Sequence, residues 1–424
     1  MVLTKKPVTG MKDILPEEMR LRDYLIGIIK NTYAGFGFTS IETPGVEHIE
    51  NLLSKQGGDN EKLIFKILKR GEKLKLEEAK TEEDLTDSGL RYDLTLPLSR
   101  YYSNNNASLP NPFKALQIGS VWRADRPQKG RFRQFTQCDI DILGEPTDLA
   151  EIELILATTT ALKRICPGFS FTVRINDRRI LKAMAKYAGF PEDSSEQVFI
   201  ILDKMDKIGM EGVKEELVRS GYAEEAAEKY LKLFSSVGND AAGVESLKET
   251  LGEALEPGTA ENLSEIMKVA GDSAEEKFSL VFDPTLVRGM GYYTGTIFEI
   301  SMEGFSGSVA GGGRYDKMIG KFTGTDTPAC GFSIGFERII TILTDSGFHI
   351  PDQSERKAFL FEKGISADRL SSILKEAEEE RKRGNICLVS RMNKNRKFQK
   401  EQLASQGYGE FKEYYREDPS CQNQ

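Results

Sequence analysis

A predicted β-hairpin with one strongly polar face constrains the fold most. The stretches from Phe113 to Trp122 and from Phe132 to Leu143 have the composition of strands, and residues 126–130 between them form the breaker-rich turn Arg-Pro-Gln-Lys-Gly. Alternate residues of a strand share one face of its sheet. On the second strand, that face carries Arg133, Phe135, Gln137, Asp139 and Asp141.

Such a face is difficult to bury without partners. Charged groups that are removed from water need ion pairs or hydrogen bonds. We therefore interpret the hairpin as one wall of a ligand-binding cleft. The alternative is a solvent-exposed hairpin whose charges are satisfied by salt bridges.

The overall composition is that of a globular protein with two or three domains. The chain has 424 residues, of which 39% are hydrophobic and 29% are charged. It contains no apolar run long enough to cross a bilayer, and its first 18 residues lack the apolar core of a signal peptide. Together with five cysteines that lack paired spacing, these features predict a cytoplasmic protein with no membrane contact.

Histidine catalysis and a protein-bound metal are both disfavoured. The two histidines, His48 and His349, have no nearby carboxylate or cysteine that could complete a triad or a metal site. The net charge of −8 also argues against a generally basic nucleic-acid binder. Even so, residues 381–400, here called the basic stretch, hold eight lysines and arginines and no acid. This pattern is typical of a solvated face and also suits a nucleic-acid partner.

The order of predicted elements divides the chain into four segments of an α+β protein. Strands and helices alternate in residues 1–177, helices with glycine stops fill residues 178–274, and strands return in residues 275–347. Residues 355–424 begin with a βα unit and form a small α/β C-terminal domain. We therefore expect a first domain that is interrupted by a helical insert, followed by a separate second domain.

Two glycine-rich clusters add candidate binding groups. Residues 286–295 read Leu-Val-Arg-Gly-Met-Gly-Tyr-Tyr-Thr-Gly, and residues 309–316 read Val-Ala-Gly-Gly-Gly-Arg-Tyr-Asp. Glycine allows a ligand to approach the backbone, while arginine and tyrosine supply charge and hydroxyl groups. The second cluster is not a P-loop, because the lysine and the hydroxyl residue that should follow the glycines are absent. A triple glycine can also be only a turn.

These motifs resemble those of histidyl-tRNA synthetases, a family of class II aminoacyl-tRNA synthetases. The similarity extends over about residues 10–347 and keeps the family's motif order, from the opening Gly-Met-Lys-Asp-Ile-Leu-Pro at residues 10–16. It is carried by residues 90–95, 121–127, 130–141, 288–293 and 335–338. The chain departs from the family at Gly291, where an aspartate is usual, and at Met290, where leucine is common.

The resemblance implies a fold and an activity. The fold would be a class II synthetase-like antiparallel sheet flanked by helices, in a homodimer whose interface includes the segment ending at Pro44. The activity would be that of a ligase that activates histidine with ATP, releases pyrophosphate, and transfers histidine to the 3'-terminal adenosine of tRNA(His). Mg²⁺ would arrive with ATP rather than at a protein motif. The C-terminal domain is similar to the first half of the family's anticodon-binding domain.

The resemblance also implies roles for three arginines. Arg123 would hold the ATP α-phosphate and the histidine carboxylate, because its planar fork can bind two oxygens at once. Arg288 would face the same phosphate and stabilise the charge that grows during in-line attack. Arg338 would stack on adenine. In this scheme Arg123 and Arg288 are catalytic, and all three arginines bind ATP.

A histidine pocket is implied in the same way. Asp93, Thr95 and Gln137 would take the α-ammonium of the substrate. Asp141 and Tyr293 would hydrogen-bond the imidazole, with Tyr292 beside them. A carboxylate and a phenol suit a ring that presents a donor, and analogues without ring nitrogens would leave them unpaired.

Contacts with tRNA are expected at the hairpin turn and at the basic stretch, which carry cations for phosphates. The candidates on the turn are Gln128, Lys129 and Arg131. The main rival hypothesis is the regulatory subunit of ATP phosphoribosyltransferase, which resembles this catalytic domain and senses histidine without charging tRNA. Such a protein need not keep Arg123, Arg288 and Arg338, whereas this chain keeps all three. A synthetase for threonine or proline fits less well, because residues 288–293 look particular to histidine enzymes.

Overall fold

The computed structural model describes residues 3–53, 61–127, 131–274, 278–288, 292–351 and 354–416. The chain forms two compact units. Unit 1 comprises Met1–Asp13 and Leu25–Ser346, and unit 2 comprises Ile14–Tyr24 and Gly347–Gln424. The helical residues 178–274 fall within unit 1 by this division, so their treatment as a separate insert stays a prediction.

Strands and helices of the first 346 residues follow the predicted α+β order. The strands are β1 Thr39–Ser40, β2 Val46–His48, β3 Lys66–Leu68, β4 Thr86–Leu90, β5 Phe113–Trp122, β6 Gln134–Leu143, β7 Phe171–Asp177, β8 Ser279–Phe282, β9 Thr296–Met302, β10 Ser308–Arg314 and β11 Ala329–Ile334. The helices are α1 Pro16–Gly35, α2 Ile49–Leu52, α3 Thr95–Asn105, α4 Leu149–Ile165, α5 Arg178–Ala188, α6 Ser195–Leu202, α7 Met205–Arg219, α8 Glu224–Ser236, α9 Ala241–Leu251, α10 Thr259–Ser273, α11 Lys317–Thr323 and α12 Phe336–Asp345. None of the helices in the described ranges is long and apolar enough to cross a membrane.

The centre of unit 1 is an eight-stranded sheet in the order β1-β5-β6-β11-β10-β9-β7-β8. Neighbouring strands from β5 to β7 are antiparallel, as predicted, whereas β1 and β8 at the edges run parallel to their neighbours. A smaller antiparallel sheet, β2-β4-β3, lies in the same unit. The α+β class is therefore confirmed, with a mixed rather than a purely antiparallel sheet.

The hairpin of β5 and β6 is regular over ten pairs, from Phe113 opposite Leu143 to Trp122 opposite Gln134. Its second strand has two different faces. Cys138, Ile140 and Ile142 are buried, and α4 and α12 pack against the strand. The alternate residues form the polar face predicted from the sequence. A central strand can carry such a face only if that face borders a cavity or is fully paired.

Residues 178–274 are helical apart from short connections, as predicted. Two of these helices end close to a glycine with a left-handed backbone: Gly189 follows α5 with φ of 101°, and Gly221 lies two residues after the end of α7 with φ of 93°. Gly209 adopts φ of 69° and interrupts α7. These helices pack around buried apolar residues that include Phe199, Tyr230 and Leu263.

Unit 2 is a small α/β unit with an all-parallel sheet in the order β13-β12-β14. Its elements are β12 Arg356–Phe361, α13 Ala367–Lys382, β13 Ile386–Arg391, α14 Arg396–Ser405 and β14 Glu410–Tyr414. The start of α1 also belongs to this unit. Arg20 donates to the carbonyl oxygen of Gln406 at 2.8 Å, and the Tyr24 ring lies 6.3 Å from the Phe348 ring. The sequence did not predict this N-terminal contribution.

Candidate active site

A cavity of about 480 Å³ opens on the polar face of the large sheet in unit 1. It is lined by every residue predicted to bind ATP or histidine, and by one of the residues predicted to meet tRNA: Asp93, Thr95, Arg123, Gln137, Asp141, Arg288, Tyr292, Tyr293, Arg338 and Arg131. The other two tRNA candidates, Gln128 and Lys129, lie outside the described residues, as do Gly289, Met290 and Gly291. Residues more than 200 positions apart thus meet in one cavity.

A row of directly paired residues, here called the floor row, crosses six strands, and its central members Asp139, Ser333 and Gly311 line the cavity. The row contains, from β5 to β7, Gln117, Asp139, Ser333, Gly311, Glu299 and Arg174. Opposed residues in neighbouring strands point to the same side of a sheet. The row therefore brings carboxylates, a hydroxyl and a bare glycine onto one face.

Arg288 lies over the glycine of this row. Its Nε donates to Oε2 of Glu299 at 2.7 Å, and its Nη2 donates to Oγ of Ser308 at 2.6 Å. A Cβ on Gly311 would collide with the Arg288 guanidinium. The absence of a side chain at Gly311 is therefore required by the position of Arg288.

Arg338 reaches the same serine. Its Nη1 donates to the Ser308 carbonyl oxygen and to the Ser308 hydroxyl, the latter at 3.2 Å. Burial lowers the pKa of the Arg338 guanidinium, and the nearby Arg288 and Arg131 lower it further. An anion bound near Ser308 would reduce the repulsion between these positive charges.

Arg123 is held at the base of the hairpin. Its Nε donates to the carbonyl oxygen of Tyr92 at 2.9 Å, and its guanidinium carbon lies 5.1 Å from the centre of the Phe135 ring. The backbone N–H of Arg123 donates to the carbonyl oxygen of Arg133 at 2.8 Å, which closes the hairpin before its turn. The guanidinium is thus oriented before any ligand arrives.

Asp141 forms a separate polar centre with a tyrosine. The hydroxyl of Tyr315 donates to Oδ1 of Asp141 at 2.6 Å, while Oδ2 is buried and has no hydrogen-bond partner among the described residues. A Cβ on Gly331 would collide with the Asp141 carboxyl group. Burial raises the pKa of Asp141 to about 7, although the Tyr315 hydrogen bond opposes this rise.

Two further tyrosines stand beside this pair. The rings of Tyr292 and Tyr293 are 4.3 Å apart, and those of Tyr292 and Tyr315 are 6.3 Å apart. Burial raises the pKa of Tyr293 to about 12. Its phenol is therefore neutral at physiological pH and can either donate or accept a hydrogen bond.

Asp93 and Thr95 lie where α3 begins. Oδ1 of Asp93 accepts the backbone N–H of Leu96 at 3.1 Å. Burial raises the pKa of Asp93, and the Leu96 N–H and the charge of Arg123 oppose the rise. On β6, Oε1 of Gln137 is buried without a hydrogen-bond partner within the described ranges. These acceptors suit a cationic donor.

Sequence reasoning gave no role to several residues of this site. Tyr315 stands in the second glycine-rich cluster, and Ser333 and Glu299 lie on strands whose neighbours the sequence does not reveal. Asp139 belongs to the polar face predicted for β6, but the sequence predicts no contact between Asp139 and ATP, histidine or tRNA. The alternation of Gly331 and Ser333 on β11 is the signal that could have pointed to a cavity face.

Comparison with known proteins identifies the family to which this chain belongs. The family model described as "Histidyl-tRNA synthetase" matches residues 10–339. The histidine–tRNA ligase of Leifsonia xyli is 41% identical over 427 residues, which cover 96% of this chain and 94% of that protein. That of Christiangramia forsetii is 38% identical over 366 residues, which cover 83% of this chain and 79% of that protein.

Solved structures of similar fold include a member of the same family. The crystal structure of the histidyl-tRNA synthetase from Nostoc sp. PCC 7120 has a TM-score of 0.79 at 27% identity, covering 96% of this chain and 90% of that chain. The structure titled an ATP phosphoribosyltransferase regulatory subunit/histidyl-tRNA synthetase, from Bacillus halodurans, has a TM-score of 0.77 and covers 98% of this chain and 99% of that chain. Its 20% identity shows a shared fold alone. The resemblance of the motifs is confirmed, and this chain belongs to the histidyl-tRNA synthetase family.

Proposed function

We propose that this chain is a histidine–tRNA ligase and that the cavity of unit 1 is its active site. The observation that carries the proposal is the composition of this one cavity. Arginines meet at Ser308, whereas the Asp141 and Tyr315 pair leaves a buried oxygen that has no partner among the described residues. A triphosphate and a donor-bearing ring match these two centres.

ATP fits the arginine-rich part of the cavity. The crowded guanidiniums of Arg288 and Arg338 gain counter-charge from phosphate oxygens. In the proposed arrangement Arg123 and Arg288 hold the α-phosphate and Arg338 stacks on adenine. Mg²⁺, carried by ATP, supplies additional positive charge for the phosphates. The bare backbone at Gly311 leaves room close to the floor.

Histidine fits the remaining acceptors. We assign the imidazole N–H to Oδ2 of Asp141, which is buried without a partner among the described residues, and to the neighbouring phenols of Tyr292 and Tyr293. The α-ammonium is assigned to Asp93, Thr95 and Gln137. A substrate without these donors leaves buried acceptors unsatisfied, which gives strong discrimination.

The proposed reaction needs no protein base for its first step. An oxygen of the ionised histidine carboxylate attacks the α-phosphorus, the bond from that phosphorus to the bridging oxygen breaks, and pyrophosphate leaves with the electron pair. Arg123 and Arg288 stabilise the additional charge of the transition state. In the second step, a ribose hydroxyl oxygen of the terminal tRNA adenosine attacks the histidyl carbonyl carbon. The bond from that carbon to the phosphate oxygen breaks, AMP leaves with the electron pair, and the hydroxyl proton passes to a phosphate oxygen.

Contacts with tRNA, dimerisation and cytoplasmic location are further parts of this proposal. Arg131 remains a candidate for the acceptor end, although its place in the cavity and its effect on Arg338 also suit a phosphate of ATP. The described cysteines are unpaired and buried, which fits a reducing compartment. A homodimer is proposed from the family resemblance, and sedimentation would test it.

The regulatory-subunit hypothesis is the second candidate. The ligase is favoured because the phosphate-facing arginines are not merely present but oriented by Glu299, Ser308 and Tyr92. A histidine sensor has no need of this arrangement.

Two assays with the purified protein test the proposal. Histidine should drive ATP–pyrophosphate exchange in the presence of Mg²⁺, and transcribed tRNA(His) should become charged with histidine. Exchange without charging would indicate an adenylate-forming relative, whereas histidine binding without exchange would indicate the regulatory subunit. Threonine and proline serve as control substrates.

A further inference from the structure

We propose that Asp139 and Ser333 fix the side-chain amide of Gln137 so that its carbonyl oxygen faces the α-ammonium of the substrate. Asp139 is then a positioning residue for amino-acid recognition. The inference rests on the proposed function, because it assumes that an amino acid occupies the cavity. It adds two residues from the floor row to the recognition of that substrate.

The three side chains form a closed triangle. Oγ of Ser333 donates to Oδ1 of Asp139 at 2.5 Å. Nε2 of Gln137 donates to Oδ2 of Asp139 at 3.4 Å and to Oγ of Ser333 at 3.3 Å. Asp139 is only 4% exposed, so water cannot readily replace these partners.

Proton count fixes the orientation of the amide. The Ser333 hydroxyl has one proton, and Asp139 receives it. While Asp139 is ionised, both groups can therefore act only as acceptors toward Gln137, and only the NH₂ end of its amide satisfies both. A flipped amide would place its oxygen against a carboxylate and would lose both hydrogen bonds.

The other end of the amide is left for the ligand. Gln137 lines the cavity, and its Oε1 is buried and has no hydrogen-bond partner in the described part of the chain. An unsatisfied buried acceptor is destabilising, and a donor restores the lost hydrogen bond. Asp93 adds negative charge to the same cavity, which favours a cationic donor. An α-ammonium meets both requirements.

Asp139 acts through Gln137 rather than on the substrate. Both of its oxygens already accept hydrogen bonds, one from Ser333 and one from Gln137. Burial raises the pKa of Asp139 well above its ordinary value, with a further rise from Asp141. The hydrogen bond from Ser333 opposes this rise, so the serine also favours the ionised state that accepts from the amide.

Two competitive inhibitors of histidine-dependent exchange separate this role from a structural one. Histidinol keeps the ammonium and the ring, whereas imidazole-4-propionate keeps the ring and lacks the ammonium. In Ser333→Ala and in Asp139→Asn, we expect histidinol to bind about 10-fold more weakly, the loss of one oriented hydrogen bond to a charged group. The inhibition constant for imidazole-4-propionate should change by less than about twofold, because that ligand does not use Gln137.

Ser308→Ala is the matched control, because it removes the same hydroxyl from the arginine-rich part of the cavity. It should raise the KM for ATP and leave histidinol binding unchanged. Equal weakening of both inhibitors by Ser333→Ala, or no weakening of either, overturns the inference. Thermal unfolding shows whether Asp139→Asn is folded, and Ser333→Ala provides the test if it is not. If the unsubstituted protein shows neither exchange nor histidinol binding, the proposed function itself fails.

Discussion

The cavity of unit 1 and the basic stretch of unit 2 both looked like binding sites in the sequence, but their charges are used differently. In the cavity, polar side chains are buried, and Oδ2 of Asp141 and Oε1 of Gln137 have no hydrogen-bond partners among the residues described. In unit 2, cations pair with acids about one helical turn away. These pairs are Arg381 with Glu378 at 3.4 Å, Lys382 with Glu379 at 2.8 Å, and Arg383 with Glu380 at 2.9 Å.

The balance of charge within a short run of sequence is therefore a weak guide to a binding site. The basic stretch contains no acid, yet Glu378, Glu379 and Glu380 precede it immediately. Lys400 pairs with Glu413, and Arg396 donates to the Tyr415 hydroxyl at 3.0 Å. Exposed pairs contribute little to stability and weaken the field that would attract phosphate. Burial without a partner is the stronger indication of a ligand.

The largest effect is expected from removing Arg288. Arg288→Ala should lower histidine-dependent exchange by about 10²-fold or more, since one charge contact made in the transition state is lost. Folding should be little affected, because Glu299 keeps its ion pair with Arg174 at 3.4 Å. Exchange kinetics and a thermal unfolding curve measure the two effects.

Arg288→Lys is the control for this variant. It keeps the positive charge but cannot bridge Glu299 and Ser308 as the guanidinium does, so its rate should lie between those of Arg288→Ala and the unsubstituted protein. If exchange by Arg288→Ala stays within about threefold of the unsubstituted rate, the assigned role is wrong.

Asp141 gives the second test, through the pH dependence of stability. Because its pKa is about 7 in the folded protein and ordinarily 3.8, the folded state binds this proton more tightly than the unfolded chain does. Asp141 therefore lowers the free energy of unfolding progressively as pH rises from about 4 to 7. Asp141→Asn removes this loss. Relative to the unsubstituted protein, the variant should gain about 2–3 kcal/mol between pH 5 and pH 8.

Urea unfolding of both proteins at the two pH values measures this gain. Effects of the substitution that do not depend on pH cancel in the comparison. The variant should also bind histidine poorly, since an amide cannot replace the charge of the carboxylate beside Tyr315. A stability difference that is the same at pH 5 and pH 8 would contradict the raised pKa.

Local patterns predicted much of the fold. The strand from Phe113 to Trp122 has the predicted limits, but β6 begins at Gln134 rather than at Phe132. The reason is a distant contact: the backbone N–H of Arg133 donates to the carbonyl oxygen of Gly10. Gly10 has φ of 85°, and a Cβ there would lie 2.7 Å from Cγ of Arg133. Contacts of this range have no signature in the local sequence.

The site was predictable only where a motif carried it. Family motifs identified Arg123, Arg288 and Arg338, and strand alternation placed Asp139 and Asp141 on one face. Ser333 and Glu299 could not be found in this way, because their roles depend on which strands are neighbours and in which register. The inclusion of residues 14–24 in unit 2 depends on tertiary contacts in the same manner.

The smallest effect on activity is expected from substitutions in unit 2. Cations of the basic stretch that have no ion pair among the described residues test the contrast between the cavity and this stretch most directly. Arg391, Lys394 and Lys397 are exposed and form no ion pair with any described residue. Replacing Lys394 and Lys397 together with alanine should lower kcat/KM for tRNA charging by about three- to tenfold, because phosphate contacts release counterions. Exchange, which needs no tRNA, should stay unchanged.

The paired double variant, Arg381→Ala with Lys382→Ala, is the control for this experiment. Its cations are already engaged with Glu378 and Glu379, so the same loss of formal charge should change charging less. The salt dependence of charging should also become shallower by about one to two in log–log slope for the Lys394 and Lys397 variant alone. Equal effects of the two variants would mean that net charge, and not the availability of each cation, governs the contact with tRNA. In that case the absence of a partner would indicate a binding site only for buried groups, as in the cavity, and not for the exposed cations of the basic stretch.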